Sequence, residues 1–161
     1  MLKINLRKSL QKFFNFLYVK LVKINDTPQR VAIGFGIGVF FGIIPGLGPL
    51  ASLFTASLLK VNRASALLGS LLTNTWISFV TFIASIKIGA VLMGIDWQVA
   101  KNEWYTVFKN FHFADLFKVS LLKTILPTII GYVVVAAFLG FLSYLLILLF
   151  LNLRKRRSKP L

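Results

Sequence analysis

Residues 31–59, VAIGFGIGVFFGIIPGLGPLASLFTASLL, are apolar throughout and are interrupted at their centre by the turn residues 45–49, Pro-Gly-Leu-Gly-Pro. As helices rising 1.5 Å per residue, the arms 31–44 and 50–59 would reach about 21 Å and about 15 Å. A bilayer core is about 30 Å thick and needs roughly 20 helical residues to cross. The segment is therefore either one kinked span or a hairpin that enters a membrane and returns to the same side.

The composition indicates an integral membrane protein built as one compact domain. Of the 161 residues, 57% are hydrophobic, above the roughly 45–50% apolar content of soluble domains. The net charge is +15, and the cations lie at the edges of apolar segments. That placement favours anionic lipid head groups as partners and argues against nucleic acid. With no cysteine, disulfides and thiolate metal sites are excluded.

Two further apolar runs are long enough to cross a bilayer as helices. The first, 64–86, lies between Arg63 and Lys87 and would reach about 35 Å. The second, 124–153, ends at a basic tail, 154–161. Residues 1–26 and 95–123 have amphipathic patterns, basic in the first and with Trp97 and Trp104 in the second, so both are predicted to contain interfacial helices.

The distribution of basic residues predicts the topology. Seven Lys or Arg occur in residues 1–30 and five in the tail, and such clusters mark the cytoplasmic side. Both termini are then cytoplasmic, the number of full crossings is even, and segment 95–123 is extracytoplasmic. The predicted fold is an all-α integral membrane protein with two full transmembrane helices, a Pro/Gly-broken re-entrant helical hairpin at 31–60, and two interfacial amphipathic helices.

Small and polar residues recur at helical spacing in the membrane part. Gly34, Gly38 and Gly42 share one helix face that would pack closely inside the chain or against another subunit. A second small-residue stripe combines Ser65, Gly69 and Thr73. A narrow polar stripe follows the next predicted helix: Ser70, Asn74, Ser78, Thr81 and Ser85. Because polar groups facing lipid are costly, this stripe should face either a neighbouring helix or a substrate path.

No catalytic constellation is visible, so we expect no enzyme activity, no cofactor and no metal site. The only histidine is His112. No acid occurs between residues 27 and 95, whereas cation-coupled transporters usually carry intramembrane carboxylates. A bound ligand would therefore be anionic, held by the amides of Gly46 and Gly48 and by the charges of Lys60 and Arg63. The simpler alternative is that the Pro/Gly break only turns the chain.

Several ordered blocks resemble the bacterial membrane family DUF 2062, a domain of unknown function. The blocks are Thr27–Phe40, Ile44–Gly48, Lys60–Asn62, Leu67–Gly69 and Asn74. The resemblance covers residues 27–94, and the family often has Asn-Pro where this chain has Asn74-Thr75. It implies a small protein of the bacterial inner membrane without an established activity. Some relatives carry the domain beside a glycosyltransferase-like domain, which implies a setting in envelope metabolism.

Three functions remain open from the sequence. The leading hypothesis is a non-enzymatic module that binds or positions anionic lipid or a protein partner, with a homo-oligomer as one form of such a partner. The alternative is a small transporter or lipid-translocating protein that uses the re-entrant hairpin and the polar stripe of residues 70–85. The third, an enzyme acting on a lipid phosphate, is the weakest because no nucleophile–base pair is present.

Overall fold

The computed structural model describes residues 26–44, 46, 48–73, 75–109 and 119–157, with side chains described at 26–44, 46, 48–73, 77–109 and 124–155. Within these ranges every element of secondary structure is a helix, which confirms the all-α prediction for the described part. The six helices there are α1 Pro28–Ile43, α2 Gly48–Leu58, α3 Arg63–Leu72, α4 Thr75–Leu92, α5 Trp97–Lys109 and α6 Val119–Arg157. The predicted helix within 1–26 and the residues Asn74 and His112 lie outside the described part.

Helices α1 and α2 form a hairpin whose arms are too short to cross a bilayer. Thr27 caps α1 by accepting a hydrogen bond from the Arg30 N–H at 3.3 Å, and Pro28 occupies the first turn. The chain reverses near Gly46, whose φ of +82° suits glycine. After α2, the Asn62 N–H donates to the Arg30 carbonyl at 3.3 Å. The second arm therefore returns to the start of the first.

Helix α3 lies parallel to α1 and almost in backbone contact with it. A Cβ atom added to Gly34 would meet Ser65 and the Asn62 carbonyl, and one added to Gly38 would meet the Ala66 carbonyl. Further along, a Cβ atom at Gly42 would meet Thr73. Residue numbers rise together on both helices, so the two run in the same direction. The glycine face of α1 is thus covered by α3 of the same chain.

The prediction of one continuous helix over 64–86 is wrong. The chain forms α3 and α4 instead, and these two helices meet at 81°. At the end of α3 the Thr73 hydroxyl donates to the Ser70 carbonyl at 2.8 Å, and Thr73 leaves helical geometry with ψ 78°. A side chain that bonds a last-turn carbonyl offers the backbone an alternative to continuing the helix. The break therefore occurs without a proline.

Helix α6 is the longest helix of the described part, and α1 and α4 pack along it. Its segment Thr124–Lys155 has 32 residues and is, within the described ranges, the one continuous helix long and apolar enough to cross a membrane. Gly131 of its first half contacts Ser85 of α4, and Gly140 of its second half contacts Gly36 of α1. Both α1 and α4 run antiparallel to α6. Helix α4 packs on its first half and α1 packs on its second half. The prediction of two full transmembrane helices holds only if the bent α3–α4 pair counts as the second span.

The outer surface of the bundle is strongly apolar. Only 17% of the apolar window of α6 is buried, which is unlike the core helix of a soluble protein. Large side chains point outward on other helices too, with Leu50 82% exposed and Val80 70% exposed. The interior is small by comparison. Its larger cluster comprises Val31, Phe35, Val39, Ile43, Tyr132, Ala136 and Leu151, and a second comprises Ile86, Ala90 and Ala100. Contiguous apolar surface of this extent indicates membrane association.

Candidate functional site

One end of the bundle joins the first turns of two parallel helices. Asn62 caps α3 by accepting a hydrogen bond from the Ser65 N–H at 2.8 Å. The Asn62 Nδ2 atom also donates to Asp26 Oδ2 at 3.2 Å, just before α1. The same Asp26 lies 3.8 Å from the Arg30 guanidinium. The polar corner around Asp26 and Asn62 therefore fixes the starts of α1 and α3 side by side.

Cations concentrate at this end, which we call the basic end. Because α6 is antiparallel to α1, its C-terminal turns arrive beside the start of α1, and Leu151 packs in the same core cluster as Val31. The described cations of the basic end are Arg30, Lys60, Arg63, Arg154 and Lys155. Asp26 is the one carboxylate described there, and it is already engaged by Arg30 and Asn62.

The opposite end carries a mixed set of charges. Its described cations are Lys87, Lys101 and Lys109, and its described acids are Asp96 and Glu103. Asp96 caps α5 by accepting a hydrogen bond from the Gln98 N–H at 2.7 Å. The electrostatic asymmetry between the two ends means that an anion would be drawn to the basic end.

Lys60 occupies a backbone position at which glycine is normally preferred. The Val61 N–H donates to the Ala56 carbonyl at 3.0 Å and the Lys60 N–H to the Ser57 carbonyl at 3.3 Å, a Schellman motif with Lys60 at φ 53°. The same motif ends α4, but there the left-handed position holds Gly94, with φ 66°. A non-glycine residue in this conformation costs about 1 kcal/mol. The chain keeps a lysine at the basic end despite that cost.

The four predicted anion-binding residues do not form one site. Gly46 and Gly48 lie at the tip of the hairpin, whereas Lys60 and Arg63 lie at the basic end, a helix length of about 16 Å away along α2. Gly46 is exposed and Gly48 is buried. The neighbouring positions 45 and 47 lie outside the described residues. The structure thus separates the turn amides from the cations, and only the cations have other basic side chains around them.

The predicted polar stripe is also divided, because the bend between α3 and α4 falls within it. Ser70 faces α1, where it adjoins Gly42, and Ser85 faces α6, where it adjoins Gly131. The hydroxyls of Ser70, Thr81 and Ser85 all donate to carbonyls of their own helices, at 2.6–3.0 Å. Ser78 is half-buried, and Asn74 lies outside the described residues. The described residues of the polar stripe therefore do not share one helix face.

Two polar contacts that sequence reasoning missed attach α5 to α6. The Trp104 indole N–H donates to Thr128 Oγ1 at 2.8 Å, and the Thr124 hydroxyl donates to Glu103 Oε2 at 3.0 Å. The predicted interfacial helix therefore packs back on the bundle. The α4–α6 contact through Gly89 and Gly131 was missed as well. Part of its signal was present, since Ser85 and Gly89 have the small-residue spacing of four.

A comparison with family models extends the resemblance to most of the chain. The model described as "Uncharacterized protein conserved in bacteria (DUF2062)" matches residues 11–159. The match confirms the predicted family and reaches well beyond residues 27–94. No curated protein and no solved structure matches the chain.

Proposed function

The chain belongs to the uncharacterised bacterial family DUF2062, and on that premise we propose that it binds anionic lipid head groups in the bacterial inner membrane without catalysing a reaction. The binding site is the basic end of the bundle. In this role the protein positions anionic lipid, or a partner that carries such a group, for envelope metabolism.

The proposed membrane placement puts the basic end on the cytoplasmic side. Helix α6 crosses the bilayer, the bent α3–α4 pair forms the second crossing, and the α1–α2 hairpin enters and returns without crossing. Support comes from the length of Thr124–Lys155 and from the short arms of the hairpin. The basic clusters in residues 1–30 and 154–161 then both lie inside, as the positive-inside rule expects. Both termini are cytoplasmic in this arrangement.

The observation that carries the proposal is the placement of five described cations at the end of the bundle where Asp26, already engaged by Arg30 and Asn62, is the one described carboxylate. The first turns of α1 and α3 also lie there in parallel, and their N–H groups add a favourable dipole for an anion. Basic residues near an anionic bilayer surface contribute about 1 kcal/mol each. A phosphate-bearing head group at the cytoplasmic surface is therefore the ligand whose chemistry fits best.

Lipid binding explains the arrangement of the polar stripe residues better than transport does. A transport path needs polar groups that face a common cavity. The hydroxyls of Ser70, Thr81 and Ser85 instead bond their own helices and face two different neighbours. The described stripe residues thus support helix packing, and we do not propose translocation.

The double variant Lys60→Gln/Arg63→Gln tests the proposal. Removing two surface cations worth about 1 kcal/mol each should weaken binding of phosphatidylglycerol about thirtyfold. Binding is measured by native mass spectrometry of the full chain in detergent, with phosphatidylcholine as the neutral reference. The matched control is Lys101→Gln/Lys109→Gln, which removes two cations from the opposite end and should change binding less than twofold. Equal losses in both double variants would refute a site at the basic end.

Exchanging the residues at the left-handed positions of the two Schellman motifs separates the effect of the lysine charge from the energetic cost of the left-handed backbone. Lys60→Gly should raise the free energy of unfolding by about 1 kcal/mol, because glycine relieves the left-handed position, while phosphatidylglycerol binding falls. Gly94→Lys should lower stability by a similar amount and leave lipid binding unchanged. Stability is measured by titration with SDS under circular dichroism. If Lys60→Gly left binding intact, the lysine would have no part in the site.

A further inference from the structure

We propose that an acyl chain of the bound lipid lies in an apolar groove between α1, α2 and α6, so that the site takes a whole anionic phospholipid rather than a free phosphate. This inference rests on the proposed head-group binding at the basic end. It adds a second, apolar contact that selects for the lipid chain.

The groove exists because two glycines let α1 and α6 come together. A Cβ atom added to Gly36 would lie 2.8 Å from the Gly140 carbonyl oxygen, so no side chain can fill this contact. The flanking residues form walls around it, with Ile37 and Phe40 on one side and Phe141 on the other. The resulting open space has a volume of about 510 Å³, within the roughly 300–1,000 Å³ range of ligand pockets.

The groove is elongated and leads to the basic end. It follows α1 from Phe41 to Ile33, about 12 Å at 1.5 Å per residue. Arg30 lies three residues before Ile33, on the same side of the helix. On α6 the groove runs from Ala137 to Tyr144, and helical steps of three and four carry the same face on to Lys155.

All three helices that line the groove carry a cation at the same end. Arg30 lies in the first turn of α1, Lys60 follows α2, and Lys155 lies in the last turns of α6. Cations beyond one end of an apolar groove match the two halves of a phospholipid, a phosphate and an acyl chain. Helix α3 packs on the other face of α1, so Arg63 contributes charge from outside the groove.

The apolar side walls point to an acyl chain as the occupant. Among the described residues that line the groove, only Thr55 and Tyr144 have side-chain polar atoms, so this lining offers little to a polar ligand. Burial of one methylene group favours binding roughly fourfold. Chain length should therefore affect affinity strongly if the groove is used.

The substitution Ala137→Trp tests the proposal by blocking the groove, because Ala137 is exposed and lines the groove. The control is Leu146→Trp, at an exposed position of the same helix outside the groove.

Native mass spectrometry compares dipalmitoyl and dihexanoyl phosphatidylglycerol. The unmodified chain should bind the long-chain lipid at least about tenfold more tightly. In Ala137→Trp this ratio should fall towards one, while the preference for phosphatidylglycerol over phosphatidylcholine persists. Ile37→Trp, from the α1 wall, should behave like Ala137→Trp.

The outcomes separate this inference from the proposed function. If the unmodified chain prefers phosphatidylglycerol over phosphatidylcholine but shows no chain-length preference, the groove proposal fails and head-group binding stands. If it shows no head-group preference, the proposed function fails. A chain-length preference that survives in both groove variants would also overturn the inference. The inference would also be overturned if gel filtration showed that the unmodified chain is a dimer and that these variants are monomers. A second copy of the chain would then occupy the groove.

Discussion

Gly38→Ala is expected to lower the free energy of unfolding by about 3 kcal/mol, because its methyl group has no space between α1 and α3. The added Cβ atom would meet the Ala66 carbonyl and lie 2.9 Å from the Ser70 amide nitrogen. Both are backbone atoms, so no side-chain rotation relieves the contact, and the two helices must separate. The loss is measured by SDS titration under circular dichroism and by the yield of monodisperse protein.

The control for Gly38→Ala is the same substitution at the hairpin tip. A Cβ atom added to Gly48 has Gly42 Cα as its nearest neighbour at 3.8 Å, an ordinary van der Waals distance. Gly48→Ala should therefore change stability by less than about 0.5 kcal/mol. If both variants lost the same stability, the close parallel packing of α1 on α3 would be wrong.

Gly131→Ala is expected to have the second large effect, by separating α4 from α6. A Cβ atom at this position would meet the Ser85 carbonyl and lie 2.9 Å from Ser85 Cα. Because these are again backbone atoms, we expect a loss of about 3 kcal/mol. The loss should include the contact between Trp104 and Thr128, which depends on the same packing and can be followed by tryptophan fluorescence.

A matched change at an exposed position of α6 controls for Gly131→Ala. Ala137→Val adds bulk at an exposed position of the same helix, and it should change stability by less than about 0.5 kcal/mol. A Gly131→Ala protein as stable as Ala137→Val would show that α4 does not approach α6 as closely as described.

The fold features that the sequence predicted are those with a local physical signal. Thr27 and Pro28 mark the start of α1, and the Pro/Gly turn ends the first arm. The spacing of Gly34, Gly38 and Gly42 indicated a close helix contact, although the pattern could not say which helix would cover it. Helical periodicity also indicated an amphipathic helix around Trp97 and Trp104.

The break between α3 and α4 could not be predicted from hydropathy, which is continuous across residues 64–86. At the break the Thr73 hydroxyl donates to the Ser70 carbonyl in the last turn of α3. A threonine in an apolar helix can bond its own backbone without ending the helix, as Thr81 does. Local sequence alone therefore does not distinguish the two cases.

The candidate site was predicted in part. Lys60 and Arg63 were chosen for their charge, but Arg30, Arg154 and Lys155 join them only because α6 runs antiparallel to α1. Grouping Gly46 with Lys60 was avoidable, since a turn and the end of the following helix lie a helix length apart. The groove between Gly36 and Gly140 needed the pairing of distant helices, which no local pattern contains.

The most direct test of the account is the accessibility of the hairpin tip. Because the chain has no cysteine, single cysteines can be placed at Leu50 in the tip, at Leu59 near the basic end and at Asn102 on α5. Cells are labelled with a membrane-impermeant thiol reagent before and after opening. We expect Asn102→Cys to react in intact cells, Leu59→Cys only after opening, and Leu50→Cys slowly in both. Reaction of Leu50→Cys in intact cells at the rate of Asn102→Cys would contradict a hairpin that enters from the basic side and returns.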